Sequence, residues 1–568
     1  RIRPVAGIQA SDHNQIQTRE EVILMVLFRI HRFDPDSDET AYLQDFELDI
    51  TTSMTILDYL IEIKEHQDGS LTFRRSCRSG ICGSCAVRVN HRAMLACKTQ
   101  AMNVVKEGSI LIEPLNHLRI IKDLVVDMDS FFRTIDQVQP WLITDYTTND
   151  KCGLTPADVK QLSKVDDCIF CGACYSDCNV VDVDRSFIGP SAIAKCFRFA
   201  SDPRDALSND RLRQLVELGL YKCPVDQECE IACPKDLAIR RDVIEDLRHR
   251  AVENNFGPMP AHKRLIMSVL DTGASVPVTT TPAVERYPDF ERDFHGINEL
   301  FIKEFNGEPV AEVVLFFGCI INRRQQDTAA AIINIFQHNK VAIHIPKKQV
   351  CCGSPFMRAG MLDTMKPFVS QNFEIFNTYA NHGVSHILTS CSGCNSTFRH
   401  DYPRLSSQYG LDFDFQIYDV GEYMTMMDNR GVLKTKDLNN IDMRSMYHYP
   451  CHIRASGLDE SIYVDLIQKI PGMELVQVPS SGLCCGGGGG VRAAYPEVAD
   501  KLAIRRMEVA KEEGVDGLLT NCPFCILSFE RGLELKKDAN EPIKFEIFDF
   551  YKIFSRAFGE KDKMREIL

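Results

Sequence analysis

Residues 168–178 read Cys168-Ile-Phe-Cys171-Gly-Ala-Cys174-Tyr-Ser-Asp-Cys178, four cysteines at C-x2-C-x2-C-x3-C spacing. A second run, Cys223-x5-Cys229-x3-Cys233-Pro234, follows after a helical stretch. Together they have the spacing of a two-cluster iron–sulfur module, in which the last cysteine of each run crosses over to the other cluster. On that rule Cys168, Cys171, Cys174 and Cys233 hold one [4Fe-4S] cluster, and Cys178, Cys223 and Cys229 hold the second. Asp226, three residues after Cys223, stands where the second set lacks a cysteine. That cluster is therefore expected as [3Fe-4S], with Asp226 as a candidate extra ligand for a fourth iron.

Upstream, Cys77-Arg-Ser-Gly-Ile-Cys82-Gly-Ser-Cys85 and Leu95-Ala-Cys97 form C-x4-C-x2-C with a fourth cysteine later, the plant-type [2Fe-2S] spacing. Gly80 and Gly83 let the loop wrap tightly and aim backbone N–H groups at sulfur. Residues 22–29 and 46–50 read as strands, 56–66 as a helix and 86–89 as a further strand, an order that suits a β-grasp ferredoxin domain. Zinc is the alternative metal, but its sites favour paired short spacings.

The whole chain bounds these readings. Its 568 residues suffice for several domains, and its net charge of -14 argues against a nucleic-acid partner, which needs a basic footprint. No apolar run approaches a spanning helix, and the first twenty residues lack a signal-peptide core, so a cytoplasmic location is expected. Twenty-three cysteines grouped in C-x2-C clusters point to metal ligation rather than to a disulfide scaffold. Cys152 and Cys196 belong to no cluster, and Cys196 reads as a buried small hydrophobe.

The C-terminal half is a repeat. Cys319, Cys351-Cys352-Gly353 and Cys391-x2-Cys394 recur as Cys451, Cys484-Cys485-Gly486 and Cys522-x2-Cys525 at an offset of 131 to 133 positions. The offset extends to Ile417-Tyr-Asp419 against Ile547-Phe-Asp549. Short apolar strands (313–317, 387–388, 518–519) alternate with helical segments (327–337, 497–512), which implies α/β units with ligands at strand ends. Five cysteines per copy exceed what a cubane cluster or tetrahedral zinc needs. The run Gly482-Leu-Cys-Cys-Gly-Gly-Gly-Gly-Gly-Val-Arg492 imitates a phosphate loop, but Val491 stands at the final glycine position of a dinucleotide fingerprint and no strand feeds directly into it. Its glycines fit close backbone approach to a large cluster.

Residues 21 to about 250 resemble the iron–sulfur subunit of the succinate dehydrogenase/fumarate reductase family, on Ser76-Cys-Arg-Ser-Gly-Ile-Cys-Gly-Ser-Cys85, Leu95-Ala-Cys97, Phe187-Ile-Gly-Pro190 and Cys233-Pro-Lys235. The resemblance implies a [2Fe-2S], [4Fe-4S], [3Fe-4S] series and a flavoprotein partner whose FAD reduces fumarate or oxidises succinate, with the [2Fe-2S] end facing the flavin. Quinone-linked members follow the equivalent of Cys178 with proline and then tryptophans, whereas here Asn179-Val-Val-Asp-Val183 follows and the one tryptophan is Trp141. That departure puts the usual quinone site in doubt.

The repeated half resembles the CCG (cysteine-rich) domains of heterodisulfide reductase catalytic subunits. The resemblance implies two non-cubane [4Fe-4S] clusters flanking a disulfide, on Cys319, Cys351, Cys352, Cys391, Cys394 and on Cys451, Cys484, Cys485, Cys522, Cys525, with zinc as the alternative in the first copy. His452 is the candidate proton donor or acceptor, against the alternative of a histidine that only bonds backbone. Arg358 and Arg492 are candidate anion binders, against the alternative of surface arginines.

The expected architecture is thus multidomain: a tail at 1–20, a β-grasp [2Fe-2S] ferredoxin domain at 21–125, an α-helical two-cluster ferredoxin domain at 126–255, a Pro-rich linker at 256–310, and two repeated α/β cysteine-rich domains at 311–432 and 440–568. Fusion of the two halves is similar to the thiol:fumarate reductase (CoM/CoB) iron–sulfur subunits. It implies an oxidoreductase that passes electrons from thiols, coenzyme M and coenzyme B, to fumarate at the flavoprotein. The rival reading is a menaquinone-linked succinate dehydrogenase or fumarate reductase whose CCG domains serve quinone and peripheral membrane contact, for which the amphipathic segment 545–558 would be a membrane-surface helix. A zinc-stabilised docking module is a third reading, against which the two five-cysteine sets weigh.

Overall fold

The computed structural model describes residues 24–144, 153–275, 281–286, 291–294, 296–303, 305–412, 415–477 and 482–559; the expected tail at 1–20 and Cys152 lie outside the described residues. The chain divides into two compact units, the first made of Arg1–Asn90, Met94–Pro114 and Ile120–Val125. In that unit the strand Leu24–Arg32 buries Val26, Phe28 and Ile30 on one face by simple alternation. It pairs antiparallel with Tyr42–Ile50 and parallel with Ser109–Glu113, which in turn runs antiparallel to Ala86–Val89. The helix Ile56–His66 starts where expected because Thr55 and Asp58 cap each other reciprocally, and it buries Ile56, Leu57, Leu60 and Ile63. A buried ion pair closes this unit: Asp123 accepts from Arg32 Nε at 3.0 Å and from the backbone of Phe33 and Thr72 at 3.1 and 2.8 Å.

The second unit begins with helices Pro156–Asp166, Gly189–Ala200, Ser208–Glu217 and Glu245–Glu253, packed in pairs around Cys196, which is 1% exposed and serves as the expected small hydrophobe. The two repeats follow in the same unit. In the first copy four parallel strands are ordered Gln416–Asp419, His386–Thr389, Ala311–Phe316, Val341–Pro346; in the second, Glu546–Asp549, Gly517–Thr520, Met443–Tyr447, Met473–Val476. Matching strands hold matching places, so the internal repeat extends from the cysteines to the whole topology.

The segment at 256–310 is more than a linker. It forms the helix Pro260–Thr272 and two strands, Glu291–Phe294 and Ile297–Ile302, the latter adding antiparallel to Val341–Pro346 and widening the first sheet to six strands. Leu300, Phe301 and Ile302 are buried there, apolar content that the surrounding prolines masked at the level of sequence.

The copies share one core. Helix Gln326–His338 of the first packs on Phe550–Ala557 of the second, and Val420–Asn429 packs on Ser461–Gln468. Buried pairs cross between them: Thr328 Oγ1 donates to Asp549 Oδ2 at 2.9 Å, and Asn334 Nδ2 to Ser555 Oγ at 2.7 Å. Phe550 and Phe554 are fully buried in this core, so the aromatic face at 545–558 is taken up by packing between copies, not offered to a membrane. Among the described residues no helix is long and apolar enough to cross a membrane. Phe554→Ala is expected to destabilise the second unit by about 3–5 kcal/mol, lowering its calorimetric transition temperature without altering sedimentation with lipid vesicles.

Candidate redox-active site

In the first unit Cys77, Cys82, Cys85 and Cys97 gather under a shell of donors. Gly80 N reaches Cys97 Sγ at 3.3 Å, Ile81 N and Cys82 N reach Cys77 Sγ at 3.4 and 3.3 Å, and Ser84 Oγ reaches Cys82 Sγ at 3.2 Å. The loop can fold this way because Gly80 and Gly83 sit at φ +66° and +75°. The Ser84 hydroxyl, with backbone N–H groups, pulls the Cys82 thiol down to about 6. Burial pushes the neighbouring Cys85 thiol up to about 12, so the fit to an anionic cluster rests on the N–H and O–H groups aimed at the sulfurs of Cys77, Cys82 and Cys97.

In the helical part of the second unit Cys168, Cys171, Cys174 and Cys233 line one small cavity, and the Ser191 hydroxyl lies 3.0 Å from Cys174 Sγ. The crossover of Cys233 to the first run is thus present in space. Cys178, Cys223 and Cys229 lie around Asp226, which acts electrostatically on all three. Asp226 is 7% exposed, a buried carboxyl in the loop between Cys223 and Cys229. Burial, then Glu228 and Cys451, push its carboxyl up to about 7, while Asn179 Nδ2 donates to it at 2.7 Å. The same Asn179 amide donates to Gly482 O at 2.9 Å. The residue that replaces the proline of quinone-linked chains is therefore a bridge to the second repeat. Trp141 is 52% exposed.

Both five-cysteine sets open into a single cavity of about 450 Å3, lined by Cys319, Cys351, Cys352, Cys391 and Cys394 and by Cys451, Cys485, Cys522 and Cys525. Cys484 is set back, hydrogen-bonded to Cys451 and Cys485. Convergence follows from the sheets: Cys319, Cys391, Cys451 and Cys522 each stand just beyond the carboxyl end of a parallel strand and at the start of a helix. The copies meet where Cys391 contacts Cys522 and Ser392 Oγ donates to Cys522 Sγ at 3.0 Å.

His452 lines the cavity with Nδ1 3.4 Å from Cys451 Sγ. His448, which sequence reasoning passed over, places a ring nitrogen within 4.8 Å of the sulfurs of Cys485 and Cys525. The available signal was its position three residues before Cys451, where the first copy has Phe316 before Cys319. Hydrogen bonds with Cys484, Cys525 and His448 hold the Cys485 thiol well below its usual range. Of the two arginines, Arg358 is 3% exposed and ion-paired with Glu245 and Asp401, so it is not a surface residue; it too borders the cavity, with Nε buried and unpartnered. Arg492 donates to Asp500 at 2.9 Å and borders the cavity, with Nε and Nη2 buried and unpartnered.

The glycine run serves two walls at once. Gly486 N and Gly487 N donate to Cys484 and Cys485 Sγ at 3.3 and 3.4 Å. On the other side, a Cβ on Gly488 would lie 2.8 Å from Pro224 O, and one on Gly489 would lie 2.5 Å from Cys223 O. Gly490 is equally confined by His262, whose Nε2 contacts Gly490 O at 2.9 Å. The run is thin so that the backbone carrying Cys484 and Cys485 can touch the backbone carrying Cys223. Gly489 is also held at φ +63°, so Gly489→Ala is expected to destabilise the protein by roughly 1–3 kcal/mol, seen as a lower thermal transition.

Comparison with known proteins places these features in a lineage. Residues 27–133 match a 2Fe-2S iron-sulfur cluster binding domain, 164–237 a 4Fe-4S dicluster domain, and 313–399 and 445–530 a cysteine-rich domain. The chain is 32% identical over 511 residues to a fumarate reductase (CoM/CoB) subunit of Methanothermobacter marburgensis, covering 90% of this chain and 95% of that relative. It is 38% identical over 233 residues to a mitochondrial succinate dehydrogenase [ubiquinone] iron-sulfur subunit of Oryza sativa subsp. japonica, covering 39% of this chain and 82% of the relative. A crystal structure of a hypothetical protein from Helicobacter pylori aligns with TM-score 0.60 at 12% identity over 98% of this chain and 97% of that one, a likeness of fold alone.

Proposed function

This chain belongs to the fumarate reductase (CoM/CoB) iron–sulfur subunit family of oxidoreductases, and on that footing we propose that it joins a thiol/disulfide site in the shared cavity to the FAD of a flavoprotein partner. The reaction balances as two thiols giving one mixed disulfide, two protons and two electrons, with fumarate taking two electrons and two protons to become succinate. Coenzyme M and coenzyme B are the thiols suggested by the relative's name. The observation that carries the reading is the single cavity into which both cysteine sets open, meeting at Cys391 and Cys522.

The ligand sets follow the thiol groupings: Cys77, Cys82, Cys85 and Cys97 for [2Fe-2S] in a β-grasp domain; Cys168, Cys171, Cys174 and Cys233 for [4Fe-4S]; Cys178, Cys223 and Cys229, with Asp226 beside them, for [3Fe-4S]. Each five-cysteine set would hold a non-cubane [4Fe-4S] cluster. When bound, these clusters supply one-electron steps and soft iron that stabilises a substrate thiolate. The residues do the rest. His452, beside Cys451 on the cavity wall, accepts the proton of an arriving thiol. Arg492, on the cavity wall with two guanidinium nitrogens lacking a partner, is the cation for an anionic substrate arm. Asn179 and the glycine run hold the second repeat against the third thiol set, which supports an exit for electrons toward the ferredoxin-type clusters rather than into a quinone pocket.

Metal analysis should find iron and sulfide beyond what the three ferredoxin-type sets can hold; zinc alone in both repeats would overturn the reading. The complex with its flavoprotein should reduce fumarate with paired thiols as donor, and activity with a quinol but not with thiols would overturn the choice of substrate. His452→Gln is expected to slow thiol-dependent turnover by about 10²–10⁴-fold. Fumarate reduction driven by an artificial one-electron donor should be unchanged in the same variant.

A further inference from the structure

The two cysteine sets are built on one plan, yet one ring differs between them. At the end of the first strand of each copy an aromatic position packs edge-on against a phenylalanine of the helical stretch that follows the C-x2-C pair. In the first copy this is Phe316 against Phe398, with centroids 4.9 Å apart at 80°; in the second it is His448 against Phe529, at 4.8 Å and 89°. The offset of 132 that relates Cys319 to Cys451 also relates Phe316 to His448. A phenyl ring has therefore been exchanged for an imidazole in the same slot and the same orientation.

The exchange changes what the sulfurs meet. His448 lies within 4.8 Å of Cys485 and Cys525 and hydrogen-bonds Cys485, whereas Phe316 is packed in the core beside Cys352 and Cys394 and has no N–H to give. Other donors do not cancel the difference. Ser275 reaches Cys319 at 3.1 Å in the first set, and His452 reaches Cys451 at 3.4 Å in the second, so the leading cysteine of each set has a side-chain partner. Ser392 adds a hydroxyl to Cys522 of the second set. Arg358 acts on Cys352 in the first, but its charge is balanced by Glu245 and Asp401.

An N–H donor to a ligating sulfur withdraws charge and favours the reduced state of an iron–sulfur centre, raising its potential. We infer that His448 makes the second cysteine set the higher-potential of the two, so that electrons collected from thiols run from the first copy toward the second. The second copy is the one whose glycine run touches Cys223 and Pro224, so the gradient points toward the third thiol set. The inference rests on the proposal that both sets hold clusters. His448 acts through Cys485 and Cys525 and is a tuning residue, not one that touches substrate.

The test is an EPR-monitored redox titration of the full, cluster-loaded chain as wild type, His448→Phe and Phe316→His, each with iron and sulfide counted first. Because the first copy already accommodates phenylalanine in this geometry, His448→Phe should keep its iron and fold. The expected result is a lower midpoint for one signal in His448→Phe and a higher midpoint for a different signal in Phe316→His, with the [2Fe-2S] signal unmoved in both. Full iron with an unchanged midpoint in His448→Phe would overturn the inference. Should that variant lose iron, Phe316→His decides instead: a raised midpoint supports the inference and an unmoved one overturns it. Wild-type protein with no iron in either repeat would instead refute the proposed function, an outcome that the iron count separates from the others.

Discussion

A single guanidinium holds the redox half of the molecule together. Arg248 is fully buried, and its Nη1 donates to Arg358 O at 2.9 Å and Gly489 O at 3.1 Å, while Nη2 donates to Leu220 O at 3.0 Å and Cys223 O at 2.8 Å. A buried charge is costly unless its donors find acceptors, and here Nη1 and Nη2 meet four backbone carbonyls drawn from the helical region, the first repeat and the second, while Nε is buried without a partner. The Tyr221 ring lies 5.1 Å from it. The same four bonds that solvate the cation therefore fix the loop of Cys223 against the loop of Cys484 and Cys485. Arg248 thus acts with the Asn179–Gly482 and His262–Gly490 contacts to keep the thiol sets close.

The second organising feature is the near-symmetry of the repeats. Each copy alone would leave a helical face bare; together they bury Ile332, Phe336, Met424, Tyr463, Phe550 and Phe554 in one core. Asp419 and Asp549 occupy the same place in the two copies, each capping the helix after the last strand, and burial pushes their carboxyls up to about 7 and about 6. Asp549 meets Thr328 of the first copy, and Asp419 meets Tyr463 of the second, so each cap also crosses the interface. Packing the helices back to back in this way turns the strand ends of both copies toward one cavity. Symmetry is broken where function needs it, in the longer glycine run, in the added strands of the first sheet and at Phe316 and His448.

Much of this was legible along the chain. The cysteine groupings, the repeat, the helix Ile56–His66, the strand Ala86–Val89 after the first cysteine loop and the strands before Cys319 and before both C-x2-C pairs of the repeats followed from local spacing and periodicity. Other features were not. The strand Ile297–Ile302 hid among prolines because its partner, Val341–Pro346, lies some forty residues on. The position of Asp226 marks it as a candidate ligand, but its burial and its link through Asn179 to Gly482 of the second repeat appear only in the fold. His448 carries no motif; only the ring it faces and the sulfurs it approaches give it meaning.

What the sequence determined by itself is which chemistry the chain carries, because a metal–sulfur site needs particular atoms a few residues apart and so writes itself into short spacings. What only the tertiary structure decided is how those sites address one another: two cysteine sets into one cavity, a glycine run laid on Cys223, the asparagine after Cys178 bonded to the loop at Gly482. These relations join residues hundreds of positions apart, and they arise from strand-end convergence and helix packing, which no local pattern records.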